Sequence, residues 1–186
     1  IGDYDMIQAN DRIAVAVSGG KDSISLLHIL RHRWQISPVP FEFTAVHIDF
    51  EFEDFNPAKL IQYFEDHGFA YHVEKVQSLK GERWEDIECF WWSRNRRKAL
   101  FEFADKNGFT KIAFGHHIDD IVETILLNQF YRGETGAMRP KQVLFDGKIT
   151  LIRPLAYERE ENMRLLAEEL GIQSIGGQSK CANDET

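Results

Sequence analysis

The 186-residue sequence is poor in cysteine and in basic residues, and it has no apolar run of membrane-spanning length. Two cysteines cannot build the disulfide framework of a small secreted protein, and no signal-peptide pattern opens the chain, so we expect a cytoplasmic protein that does not bind a membrane. The 22 Lys and Arg against 30 Asp and Glu give a net charge of −8. This balance excludes a protein that coats nucleic acid through charge alone, but it allows a local basic patch.

Strand-like and helix-like segments alternate along the chain. In sequence order the predicted strands and helices are residues 12–17, 22–33, 41–49, 57–68, 71–76, 82–108 and 111–115, followed by a hairpin around an Asp-Gly turn at 146–147. Such alternation is typical of βαβ crossovers, so we expect a Rossmann-like α/β fold, an open parallel sheet with helices on both faces. The length suits one domain, residues 1–186, with ligands beyond the carboxyl ends of the strands.

A glycine-rich loop joins the first predicted strand, which ends at Val17, to the first predicted helix. It reads Ser-Gly-Gly-Lys-Asp-Ser at residues 18–23. Adjacent glycines let the backbone approach a phosphate closely, and the amides of the following helix favour negative charge. Lys21 adds a mobile cation, and Asp22 is a hard oxygen ligand suited to Mg²⁺ carried by a nucleotide. The spacing differs from the Walker A loop, and a simple turn would not need these polar groups.

A second polar motif, Gly-His-His-Ile-Asp-Asp-Ile-Val-Glu-Thr, occupies residues 115–124. Asp119, Asp120 and Glu123 lie within the first turns of a predicted helix, where carboxylates also act as ordinary caps. The spacing of the histidines does not match a zinc-hydrolase helix. His47 and Asp49 end the second predicted strand, where they are either nucleotide contacts or ordinary polar residues at a strand terminus.

Together the two motifs resemble the PP-loop superfamily of ATP pyrophosphatases, the adenine nucleotide alpha hydrolases. The resemblance implies that ATP is cleaved between its α and β phosphates, that a substrate oxygen is adenylated and that pyrophosphate leaves. It also implies that Lys21, Asp22, Asp119 and Asp120 take part in catalysis, with Mg²⁺ near Asp22. The implied nucleotide contacts are Val17, Ser18, Gly19, Gly20, Lys21, Ser23, His47, Asp49, Gly115, His116 and Arg153.

Further segments are similar to the tRNA 2-thiocytidine synthetase family, which replaces an oxygen of an anticodon-loop cytidine by sulfur. They are Cys-Phe-Trp-Trp-Ser-Arg-Asn-Arg-Arg at 89–97, Leu-Asn-Gln-Phe-Tyr-Arg-Gly at 127–133, Met-Arg-Pro-Lys at 138–141, Ile-Arg-Pro-Leu at 152–155 and the late Cys181. The resemblance implies tRNA as substrate. A protein sulfur donor and a second copy of the chain are further candidate partners.

The cysteines depart from that family's pattern. Members typically carry two Cys-x-x-Cys pairs, from which three thiolates hold an iron-sulfur cluster. Here Trp92 and Gln178 occupy two of the four positions, so Cys89 and Cys181 remain. An indole is not a soft anionic ligand, so we expect no three-cysteine cluster. Delivery of sulfur through a persulfide, a cluster completed by an outside ligand, and inert packing all remain open for the two thiols.

Two other functions remain open from the sequence. One is a PP-loop ligase of the lysidine or amide-forming type, which would need no cysteine, and the other is a nucleotide-binding module without catalysis. Release of pyrophosphate distinguishes an enzyme from a binding module. The basic cluster at residues 94–98 beside Trp91 and Trp92 either contacts RNA or forms a solvated helix face.

Overall fold

The structure is a computed structural model that describes residues 1–51, 56–76, 89–172 and 175. Its centre is a six-stranded sheet in the order β3-β2-β1-β4-β6-β5. The elements are β1 (Asp11–Ala16), α1 (Lys21–Ile36), β2 (Phe41–Asp49), α2 (Ala58–Asp66), β3 (Tyr71–Lys75), α3 (Cys89–Lys106), β4 (Lys111–Ala113), α4 (Ile118–Leu127), a π-helical turn (Asn128–Arg132), β5 (Lys141–Leu144), β6 (Ile149–Ile152) and α5 (Glu160–Glu169).

The sheet is parallel except at one edge. β1 pairs with β2 on one side and with β4 on the other, so the strand order reverses between β1 and β4. β5 runs antiparallel to β6, as the hairpin prediction requires. The predicted open α/β sheet is therefore confirmed, and ligands of such sheets bind where the order reverses.

Helices cover both faces of the sheet because β1 is apolar on both of its faces. Ile13, Val15 and Val17 pack against α1, α2 and α5, whereas Ala14 and Ala16 pack against α3. Successive side chains of a strand point to opposite faces of the sheet. A central parallel strand is covered on both faces, so the side chains on both must be apolar. The small residues on the second face bring α3 close to the sheet.

Most element bounds lie within three residues of the predicted ones, and two differences are larger. The predicted helix at 82–108 is observed from Cys89 to Lys106, and residues 82–88 lie outside the described part of the chain. Helix α5 was not predicted, although its Met163 and Ala167 are buried against the core. Within the described ranges, no helix is both long enough and apolar enough to cross a membrane.

Candidate active site

The glycine-rich loop connects β1 to α1 at the point where the strand order reverses. Gly19 has φ of 90°, a conformation that L side chains rarely adopt. Ser23 Oγ donates a hydrogen bond to Gly20 O at 2.9 Å and accepts one from the backbone N–H of Ser18 at 3.3 Å. The two serines, predicted as phosphate donors, thus brace the loop itself in this structure.

Lys21 occupies the first turn of α1 and is paired with two carboxylates. Its Nζ lies 2.9 Å from Glu160 Oε1 and 3.2 Å from Asp22 Oδ2. Partial burial works to lower the pKa of Lys21, but the hydrogen bond to Glu160 and the charge of Asp22 outweigh it and raise the pKa. Lys21 is therefore a full cation positioned to meet an anion.

Gly115 brings the second motif against the glycine-rich loop. A Cβ at this position would lie 3.1 Å from the backbone oxygen of Asp22, closer than nearly all real Cβ contacts. A side chain here would require the backbone of Asp22 to move by a few tenths of an ångström. The two motifs, separated by about ninety residues in sequence, therefore meet at one rim of the sheet, as predicted.

Asp119 and Asp120 both accept backbone hydrogen bonds. Asp120 Oδ2 accepts the N–H of His117 at 2.7 Å, so it caps its own helix, α4. Asp119 Oδ2 accepts the N–H of Glu160 at 2.7 Å, so it caps α5 instead. Burial raises the pKa of Asp120 against the opposing effect of the His117 bond. The capping interpretation accounts for these contacts, and their predicted catalytic role stays a prediction.

His116 follows β4 and is neutral. Burial first, and then the charges of Arg153 and Arg97, lower the pKa of His116 to about 3. Its ring stacks on Phe114 with centroids 5.4 Å apart. Burial also lowers the pKa of Arg153, which follows β6 and donates from Nη1 to Arg139 O at 2.6 Å. Arg97 on α3 thus faces the same space, which the sequence motifs did not indicate.

The end of β2 completes the rim. His47 Nδ1 lies 2.8 Å from the carbonyl oxygen of Val17, so this histidine contacts the strand that leads into the loop. Burial lowers the pKa of His47, which keeps the ring neutral. Asp49 Oδ1 accepts the N–H of Glu51 at 2.8 Å. His47 therefore lies beside the loop, and nucleotide contacts by His47 and Asp49 stay predictions.

Several buried polar atoms around this rim have no hydrogen-bond partner among the residues that the structure describes. They include Asp22 Oδ1, His116 Nδ1 and Arg153 Nε. A buried polar atom without a partner is costly, so a cluster of them indicates space that a polar ligand fills. An acceptor, a neutral ring nitrogen and a cationic donor suit a phosphorylated, metal-carrying ligand.

The surroundings of the two predicted sulfur-handling cysteines are described only in part. Cys89 begins α3, and both its side chain and Cys181 lie outside the described residues. Trp92, at the position of a family cysteine, is a residue of α3 that packs against the core, with the guanidinium of Arg96 5.0 Å from its ring. Ile175 N–H donates to Gly19 O at 3.1 Å, so the chain that leads to Cys181 passes the glycine-rich loop.

A doubly wound sheet with an anion-binding loop at its switch point defines a nucleotide-binding α/β domain. The model of the PP-loop domain family matches residues 3–179 of the chain. The chain is 41% identical over 179 residues to a tRNA-cytidine(32) 2-sulfurtransferase of Syntrophotalea carbinolica, covering 94% of this chain and 69% of that protein. It is 43% identical over 172 residues to the protein of that name from Tolumonas auensis, covering 90% and 57%.

The chain therefore belongs to the PP-loop family, and within it to the tRNA-cytidine(32) 2-sulfurtransferases. This confirms the resemblance and the predicted class of enzyme, an ATP-dependent sulfurtransferase with a PP-loop ATP-binding domain. The chain spans between 57% and 69% of the length of the two relatives named here.

Solved structures with the same fold include two proteins of low sequence identity. The U34-tRNA thiolase of Methanococcus maripaludis, solved with its [4Fe-4S] cluster, superimposes with a TM-score of 0.75 at 21% identity, covering 96% of this chain and 61% of that one. A phosphoadenylyl-sulfate reductase of Candida auris follows with a TM-score of 0.53 at 13% identity, covering 87% and 73%. At these identities the likeness establishes the fold.

Proposed function

We propose that this chain is the ATP-using domain of a tRNA thiolase that activates an anticodon-loop cytidine, with position 32 as the target. The observation that carries the proposal is the cluster of unpartnered polar atoms on Asp22, His116 and Arg153, at the rim where the two motifs meet. In the reaction the cytidine oxygen attacks the α-phosphate of ATP, pyrophosphate leaves, and a sulfur nucleophile then displaces AMP together with that oxygen.

Different residues of the rim bind the phosphates, the metal ion and the nucleotide in this reaction. The loop amides and Lys21 hold the outgoing phosphates, and Arg153 binds the α-phosphate, a role supported by its buried Nε, which has no partner among the described residues. Asp22 Oδ1 is a buried carboxylate oxygen without a donor, so it fits a Mg²⁺ ion bound through one carboxylate and the phosphates. Such an ion neutralises the charge that develops on pyrophosphate. His116 stays neutral and contacts the nucleotide as a hydrogen-bonding ring.

The sulfur step depends on Cys89 and Cys181. The terminal sulfur of a persulfide on Cys89 attacks the activated carbon and AMP departs. The Cys181 thiolate then attacks the inner sulfur, which releases the thiolated base and leaves a disulfide that a thiol reductant reopens. A protein sulfur donor reloads the persulfide. The residues present do not fit a cluster held by three cysteines, because Trp92 replaces one thiol, and no step here uses a cluster.

The same proposal predicts the location of the enzyme. Because its substrate is tRNA, we expect the enzyme in the cytoplasm. We infer that residues 1–186 form one PP-loop domain, which is supported by the shared sheet of the described elements and by the family match over residues 3–179. A homodimer stays a prediction.

The test is an in vitro assay with unmodified tRNA, ATP, Mg²⁺ and sulfide or a persulfide donor. Pyrophosphate is measured during the reaction, and 2-thiocytidine is measured by mass spectrometry of the digested tRNA. Lys21→Ala should abolish both products, whereas Lys59→Ala, an exposed lysine of α2, should leave them unchanged. Pyrophosphate release with lysine or an amine as the second substrate would favour the ligase alternative. Binding of ATP without any turnover would favour a non-catalytic module.

A further inference from the structure

An open groove of about 580 Å³ lies between α3 and the β5–β6 hairpin. The residues that line it include two exposed aromatic side chains, Phe90 at 71% and Phe145 at 59% exposure, and three cations of α3. Neither aromatic side chain belongs to the motifs of the glycine-rich loop or of residues 115–124. The groove is therefore a feature that ATP binding leaves unexplained.

The tip of the hairpin holds Phe145 in an unusual backbone conformation. Phe145 has φ of 51° and Asp146 has φ of 54°, in the left-handed region that a bulky side chain rarely adopts. The ring of Phe145 meets that of Phe101 edge to face, with centroids 5.6 Å apart, and so lies over α3. Strained backbone of this kind is found mainly at functional sites, and here it holds an exposed ring over the groove.

The charge of the groove is opposite to that of the whole chain. Arg94, Arg97 and Lys98 line it, and among its described lining residues one carboxylate, Glu102, lies 3.7 Å from Lys98. The protein as a whole carries a net charge of −8. Cations concentrated on one helix of an acidic protein form a local attraction for a polyanion.

Arg97 connects the groove to the nucleotide site. Its charge helps to lower the pKa of both His116 and Arg153, which places it near these two residues as well as in the groove lining. Arg97 is thus a lining residue of the groove whose charge also reaches the nucleotide site. Exposed aromatic rings among cations are the features that single-stranded nucleic acids stack on.

We propose that this groove binds single-stranded RNA next to the target nucleotide, with Phe145 and Phe90 stacking on bases and Arg94 and Lys98 contacting phosphates. This inference rests on the proposed function, because it supplies the tRNA contact that the thiolation reaction needs. A protein partner would use the same rings as apolar contacts, so the test must separate stacking from apolar docking.

The experiment measures binding of a fluorescein-labelled anticodon stem-loop to the intact protein by anisotropy over a range of salt concentrations. Phe145→Ala and Phe145→Leu should each weaken binding about ten-fold, and Phe145→Trp should restore it, because stacking needs a ring. Trp34→Ala, which removes an equally exposed ring at the far end of α1, should have no effect. A blunt RNA duplex of equal length should bind wild type and Phe145→Ala alike.

A second set of variants tests the phosphate contacts with two lysines of α3. Lys98→Gln should weaken binding of the stem-loop and lower the salt slope by about 0.7–0.9, the effect of one lost phosphate contact, while the exposed Lys106→Gln should leave the slope unchanged. ATP affinity, measured by calorimetry, should be the same in all these variants.

Each failure has a different meaning. If wild type binds and thiolates tRNA but Phe145→Ala and Lys98→Gln bind the stem-loop normally, the groove proposal is wrong and the proposed function stands. Normal binding by Phe145→Leu together with weak binding by Phe145→Ala also overturns the stacking role, since an apolar side chain would then suffice. If wild type binds ATP but no tRNA, the proposed function itself fails.

Discussion

Nζ of Lys21 lies 2.9 Å from Oε1 of Glu160, across 139 positions of sequence. The backbone N–H of Glu160 donates in turn to Asp119, so Glu160 joins the glycine-rich loop to the second motif. Its carboxylate stands where an ATP phosphate is expected to meet Lys21. Glu160 is therefore a competitor for the cation in the nucleotide-free protein.

Glu160→Gln should raise the affinity for ATP. The Glu160 side chain is more than half exposed, and exposed ion pairs are worth only ~0.2–1 kcal/mol, so the expected gain is about 1.4- to five-fold. Calorimetry with ATP measures it. Glu161→Gln, the exposed neighbour in the same helical turn, is the control and should bind as wild type does. Weaker binding by Glu160→Gln would mean that the carboxylate supports the bound nucleotide instead.

Gly115→Ala should lower both stability and ATP affinity. The new methyl group would press on the backbone of Asp22 and Ser23, and forcing a close contact apart typically costs ~1–3 kcal/mol. The free energy of unfolding in urea gives the first effect, and calorimetry gives the second. Gly2→Ala adds the same methyl group where nothing lies within 4 Å, and it should change neither quantity.

Asp22→Asn should reduce Mg²⁺-dependent pyrophosphate release much more than it reduces binding of ATP in EDTA. The reason is that Oδ1 of Asp22 is the proposed ligand of the Mg²⁺ ion. Lys21, the proposed phosphate ligand, keeps its ion pair with Glu160 when Asp22 is replaced. The measurement is turnover across a Mg²⁺ titration beside calorimetry without metal. An equal loss of both, or of neither, would contradict the assignment.

Anaerobically purified protein should contain little iron and sulfide, because Trp92 replaces one thiolate of the family's cluster. Trp92→Cys should raise the bound iron if its position faces the remaining thiols. Trp92→Phe keeps an aromatic ring without adding a thiol and should bind no more iron than wild type. Loss of the partly buried indole costs stability, so both variants must show cooperative unfolding first. Wild-type protein that reconstitutes to four irons per chain would refute the expectation.

Stability should fall as pH decreases from about 6.5 toward 3, and His116 should contribute to the fall. Its pKa is lowered to about 3 in the folded protein, against the usual 6.5 of an unfolded chain, so in this window the unfolded state binds more protons. His116→Asn should flatten the dependence measured by urea unfolding between pH 7 and pH 5. His32→Asn, an exposed histidine of α1, is the control. An unchanged slope in His116→Asn would contradict the buried, neutral ring.

Local chemistry explains how much of the fold could be predicted from the sequence. The apolar run before the glycines, the helix after them and the strand pattern at Phe41–Asp49 depend on neighbours in sequence, and they appear where predicted. Helix α5 was missed because no motif marks it and its buried side, with Met163 and Ala167, is narrow. The role of Asp119 as the cap of α5 is likewise visible only once α4 and α5 lie side by side, whereas Asp120 caps its own helix.

The sequence by itself determined the class of the protein, because a phosphate loop is a continuous segment whose glycines, cation and following helix act within a few residues of one another. Only the tertiary structure decided which side chains surround that loop. The strand order places Arg153 and Arg97 beside His116, brings Glu160 to Lys21, and lays Phe145 over α3. Contacts between residues so far apart in sequence depend on how strands pair and helices pack, which no local pattern encodes.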